Sequence, residues 1–114
     1  MTTAATKQMD LRSLSRAERA RIMAGRLSEA VRRAVPPGIG HWPPAWEVVE
    51  APSAAFLDAL RAWEAAGDGA PNERELREAI DHAARRALAA WREAARRWEA
   101  AGRPAPAREV AHVA

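Results

Sequence analysis

Residues 54–71, AAFLDALRAWEAAGDGAP, return thirty-five positions later as residues 89–106, AAWREAARRWEAAGRPAP. Eleven of the eighteen aligned positions are identical, and Phe56/Trp91 and Asp58/Glu93 are conservative exchanges. Alanine inflates any such match. The run Trp-Glu-Ala-Ala-Gly at 63–67 and 98–102, followed at the same offset by Ala-Pro, does not come from composition. Each copy reads as an amphipathic helix: Phe56, Leu60 and Trp63 recur at helical spacing. Each then stops at a glycine, Gly67 or Gly102, suited to the left-handed position past a helix end. We read the pair as an internal duplication of one helical segment, which places the chain in the all-α class.

Working outward, Asn72 with Glu75 three residues on predicts a capping box and a third helix over 73–101. At 1.5 Å per residue it is about 40 Å long. Its seam is Leu76, Ile80, Ala84, Ala87, Trp91, Ala94 and Trp98, with Leu88 alongside. Those steps of four and three suit packing against a helix of nearly parallel axis. Ser53 reads as the cap of a second helix over 54–66. Residues 36–52, Pro-Pro-Gly-Ile-Gly-His-Trp-Pro-Pro-Ala-Trp onward, read as a Pro/Trp-rich connection. In it either Pro44 opens one short helical turn through Glu50 or Val48-Val49 run extended, and Ile39, Trp42 and Trp46 are the anchors. Before it, Ser15 and Glu18 form a capping box that opens a first helix over 16–35, and Pro36-Pro37 must end it. Ala20, Met23, Leu27, Ala30, Val31 and Ala34 share one face. Residues 1–9 are expected to be disordered, 10–102 to form one all-α domain, and 103–114 to be a tail. The fold class is therefore a three-helix bundle, or helical hairpin, with a long C-terminal helix.

At 114 residues there is material for one modest core. The absence of cysteine removes disulfides and thiolate metal sites. Apolar runs are broken by Arg or Glu, so no membrane span is expected. Met1 to Gln8 lacks the apolar core of a secretory signal, which makes cytoplasmic residence the expectation. Seventeen of the eighteen basic residues are Arg, a bias that a GC-rich genome explains. The net charge of +3 is segmented: +5 over residues 1–33 (eight basic, three acidic), −6 over 34–84 (three, nine) and +4 over 85–114 (seven, three). Such a chain neutralises itself by folding, docks head to tail on a copy, or presents its basic parts to a polyanion.

No catalytic constellation is visible. His41, His82 and His112 fall in a loop, a helix and a tail, without ligand spacing. Glu75, Glu78 and His82 share a helical face but lack a second ligand helix, and read as a solvated acidic helix start. Gly38-Ile39-Gly40 is flanked by Pro rather than by a strand and a helix, so it is no phosphate loop. A helix-turn-helix centred on Gly25 fails because Arg21 stands where a small residue is needed. No enzyme activity, cofactor or metal is expected.

The arginine rows are the functional signal. Arg12, Arg16, Arg19, Arg26 and Arg33 recur along one side of the first helix, and Arg85, Arg92 and Arg96 along the third. Arginines in a row bridge successive phosphates, the sequence-independent part of nucleic-acid affinity. Ordinary i,i+4 pairs, Glu73/Arg77, Asp81/Arg85 and Glu93/Arg97, account for part of the charge on the third helix. They do not explain cations at the start of the first, where the helix dipole disfavours them. The expected function is a small non-catalytic subunit of a nucleic-acid-bound assembly, a ribonucleoprotein or mobile-element complex. In the alternative, a protein-interaction adaptor, apolar helix faces and Trp42 and Trp46 meet a protein partner or a second copy.

Overall fold

The computed structural model describes residues 14–39 and 42–104. The expectations for residues 1–9, Arg12, His41 and the tail beyond Pro104 lie outside these. Among the described residues three helices follow in order: α1 (Arg16–Ala34), α2 (Pro43–Ala66) and α3 (Glu73–Ala100). The architecture is all-α with a long last helix, as the sequence predicts.

Helix α1 begins with the expected reciprocal box. The Glu18 amide donates to Ser15 Oγ at 3.1 Å, and the Ser15 amide to Glu18 Oε1 at 2.8 Å. The helix ends where Val35 turns extended (φ −126°, ψ 149°), as the residue before a proline must.

The start of α2 corrects the sequence reading. Residues 43–52 are not a connection, and Ser53 caps nothing: one continuous helix runs from Pro43, with Pro52 inside it. Pro43 and Pro44 occupy the first helical positions, where no amide hydrogen is required and φ is already helical. Pro52 forfeits one backbone bond, at a cost of about 3 kcal/mol in a free helix. Burial on both sides of it offsets that: Ala45 and Val49 before, Phe56 and Leu60 after, all lie in the core. The connection is correspondingly shorter than the sequence suggests, with α1 ending at Ala34 and α2 starting at Pro43. There Gly38 takes φ +95°, Ile39 is buried, and the Trp42 amide donates to the Ile39 carbonyl at 3.1 Å.

The predicted capping box at the start of α3 is also absent, since the Asn72 side chain makes no capping bond. Acidic Glu73 and Glu75 still complement the positive end of the helix.

Helices α2 and α3 form an antiparallel hairpin with two clusters along its length. Near the turn, Phe56, Leu60 and Trp63 of α2 meet Ile80 and Ala83 of α3, with Ala20 of α1. At the far end, Ala45 and Val49 meet Ala94 and Trp98, closed by Ile39. Ala83, Ala87 and Ala94 let the two backbones approach while Trp63 and Trp98 fill the ends. The predicted seam divides. Ile80, Ala87, Ala94 and Trp98 face α2, while Leu76 and Ala84 are half-buried against the cluster that α1 joins.

Helix α1 lies alongside α3 in the same direction. Arg16 meets Glu73, Met23 and Arg26 border Arg77 and Ile80, and Ala30 borders Leu88. Its docking is lopsided: of its residues only Arg16 and Ala20, both at its start, are buried.

Candidate functional site

The start of α1 is held by a polar knot around Trp63. Arg16 donates from Nε to the Trp63 carbonyl (2.6 Å), from Nη1 to Asp68 Oδ1 (3.1 Å) and from Nη2 to Glu73 Oε1 (2.7 Å). Its guanidinium carbon lies 3.8 Å from the centre of the Trp63 ring, a stacked cation–π contact. The indole Nε1 of Trp63 donates to Glu73 Oε2 at 2.8 Å. Arg19 joins the knot through Asp68. These bonds to the charged form hold both carboxylates below their ordinary range: Glu73 through Arg16 and then Trp63, Asp68 through Arg19 and then Arg16. Every donor of the Arg16 fork that points inward is satisfied, so this arginine, 9% exposed, is structural.

Past Arg19, α1 does not close on the hairpin, and grooves open on both of its flanks. On the α3 side a groove of about 320 Å³ has Met23, Leu27, Phe56, Ile80 and Leu88 as its apolar floor. Arg26 of α1 and Arg77, Asp81 and Arg85 of α3 form its rim. On the α2 side a groove of about 300 Å³ is lined by Leu27, Val31, Phe56, Leu57 and Trp91, without a charged residue.

The predicted arginine rows fare unequally. Arg16 and Arg19 belong to the Trp63 knot, where Arg16 pairs with Asp68 and Glu73 and Arg19 with Asp68. Arg33 lies 3.7 Å from Glu29, and Arg96 pairs with Glu93 at 2.6 Å. Arg26, Arg85 and Arg92 have no carboxylate within 4 Å among the described residues. Arg26 and Arg85 face each other across the groove. Arg92, two turns beyond Arg85, is exposed on the same side of α3. Of the expected i,i+4 pairs only Glu93–Arg97 forms, at 3.1 Å; Glu73 turns to Arg16, and Arg85 stands apart from Asp81.

Arg77 is the rim residue that sequence reasoning missed. Its spacing to Glu73 predicts a salt bridge, and nothing in the sequence says that a residue of α1 takes that carboxylate first. Trp42 packs, half-buried, on the far cluster, whereas Trp46 stands 56% exposed on α2. Among the described residues no three His, Asp or Glu side chains converge as metal ligands. Glu78 of the acidic stripe instead lies 3.5 Å from Arg74. No described helix is long and apolar enough to cross a membrane.

Comparison with protein-family models, curated proteins and solved structures yields no significant match.

Proposed function

We propose that the protein is a non-catalytic assembly module that takes an acidic amphipathic helix of a partner protein into the groove between α1 and α3. One observation carries this reading. Arg26, Arg77 and Arg85 rim an apolar floor, and none of the three has a carboxylate within 4 Å among the described residues. An apolar trough with cationic walls is the complement of a helix whose apolar stripe is flanked by Glu and Asp. Apolar burial supplies the affinity, and the arginines set register and orientation.

The nucleic-acid reading survives in narrower form. It is favoured by the unpaired, aligned Arg85 and Arg92, about 10 Å apart along α3, which suit a phosphate backbone. Against it stand the carboxylate pairing of Arg16 and Arg19 in the Trp63 knot and Asp81 on the rim.

One titration separates the two. A synthetic acidic amphipathic helix and a short oligonucleotide are each added to the full chain at low and at high salt. The peptide is expected to bind in both conditions, and about tenfold more weakly to Arg85→Glu. Binding of the oligonucleotide alone, collapsing as salt rises, would replace this proposal with the phosphate reading.

A further inference from the structure

The groove raises the question of what occupies it, and α2 carries a surface of matching chemistry. Among the described residues, Trp46 and Leu57 are the large apolar side chains that stay exposed, 56% and 44%. Both lie on α2, eleven residues apart, so they stand on one side of the helix about 16 Å apart along its axis. Trp46, Glu50, Leu57 and Glu64 follow at steps of four, seven and seven, a single line along α2. Glu47, Glu50 and Glu64 are exposed, and none has a cationic partner within 4 Å among the described residues. Arg61, the one cation on this part of α2, lies 3.4 Å from Asp58.

The groove has the same reach. From Arg77 to Leu88 it follows α3 for eleven residues, about 16 Å. Its three unpaired cations answer three unpaired carboxylates, and its floor offers apolar seats for two anchors. Leu57 and Glu64 border α1 on its α2 flank and the groove lies on its α3 flank, so one molecule uses both at once.

We infer that the groove's occupant is a second copy of this chain. The Trp46–Leu57 face of α2 from one molecule seats between α1 and α3 of the next. The two surfaces differ, so the contact is heterologous and propagates head to tail into a ring or an open filament rather than stopping at a two-fold dimer. Trp46 and Leu57 are the apolar anchors, and Glu50 meets the arginine rim at Arg85 and Arg26. This assignment rests on the groove reading above and names its partner.

The test uses two charge reversals at exposed positions, Glu50→Arg on the donor face and Arg85→Glu in the groove. Light scattering on the full wild-type chain at low salt is expected to show mass growing past a dimer from low to high micromolar concentration. Each variant alone keeps the helical circular dichroism of the wild type and is monomeric, its self-association weakened at least about tenfold. Mixed in equal amounts, the two recombine into species larger than either variant forms alone. The intact groove of Glu50→Arg receives the intact α2 face of Arg85→Glu, and the two reversed surfaces, now opposite in charge, attract each other in turn.

Wild-type protein that stays monomeric at high micromolar concentration overturns the self-docking, as do variants that assemble like wild type or a mixture that fails to recombine. Monomeric wild type that still binds the synthetic acidic helix, with Arg85→Glu weakening it, leaves the groove reading standing and removes only this occupant. Failure of peptide and self-association together removes both.

Discussion

Trp63 and Trp98 occupy the same place in the two copies of the repeated segment, yet the molecule treats them differently. Both end a helix four residues before a glycine of positive φ, +76° at Gly67 and +86° at Gly102. Both indoles are withdrawn from solvent, Trp63 completely and Trp98 to 8% exposure. The partners diverge. The Trp63 ring is covered by Arg16 from α1, and its Nε1 reaches a carboxylate on α3. The Trp98 Nε1 donates to the Pro104 carbonyl six residues on at 3.3 Å, with Arg103 of the same segment 5.7 Å from its ring. The first copy joins three helices, and the second closes its own end. Equal local instructions thus give an inter-helix node where other helices supply partners, and a terminal plug where only the chain's own next residues do.

The largest expected effect is at the node. Trp63→Ala should cost about 3–5 kcal/mol in urea unfolding, since it empties a fully buried site and strips Arg16, Glu73 and Ala20 of a neighbour. Trp98→Ala should fall at the low end of that range or below, because its site is at the rim and its hydrogen bond is long. Equal losses at the two positions would break the distinction drawn here. Next, Arg16→Ala should cost about 1–3 kcal/mol, leaving the Trp63 carbonyl unpaired and the ring uncovered. It should also release the start of α1 to faster amide exchange, while exchange around Trp98 stays as in wild type.

Acid should act on the same end. Glu73 and Asp68 titrate below their ordinary range when folded. Their contribution is therefore complete above the unfolded carboxylate range and is lost as pH falls through it toward the depressed folded values. Urea midpoints measured downward from neutral pH should drop more steeply in wild type than in Glu73→Gln. Trp98 bonds to a backbone carbonyl, and Trp98→Ala should leave that slope unchanged. The smallest effects are at the two glycines, where an added Cβ meets nothing within 4 Å and only the backbone opposes it. Gly102→Ala should cost about 1 kcal/mol in urea unfolding. Gly67→Ala should cost more, up to about 3 kcal/mol, since φ 76° with ψ 167° is a region that only glycine enters readily. Equal losses would show that this backbone difference carries no cost.

Part of this was legible before any coordinates. The 54–71/89–106 repeat, the Ser15–Glu18 box, the stop at Pro36 and the long seam of α3 all rest on interactions between residues at most four apart, or on backbone rules of single residues. The start of α2 was not legible, because Pro44 and Pro52 signal a break locally, and burial of Ala45 and Val49 against α3 overrides that signal. The Asn72 cap fails because its backbone, φ −103° and ψ 28°, is not the extended one of a capping residue. Among site residues, Arg26, Arg85 and Arg92 were visible as rows of charge. The sequence gives no sign that Arg16 is consumed inside, because its partners Asp68 and Glu73 are more than fifty residues away.

By itself, then, the sequence determined the helices, where each one stops and which face of each is apolar, since those follow from short-range bonding and from the 3.6-residue period. Only the tertiary structure decided which arginines are structural and which remain unpaired. It alone decided that α1 docks at one end and leaves a groove, and that Trp46 and Leu57 stay exposed. A guanidinium's role depends on which carboxylate is nearest in space, and chain spacing carries that information only within a helix turn or two.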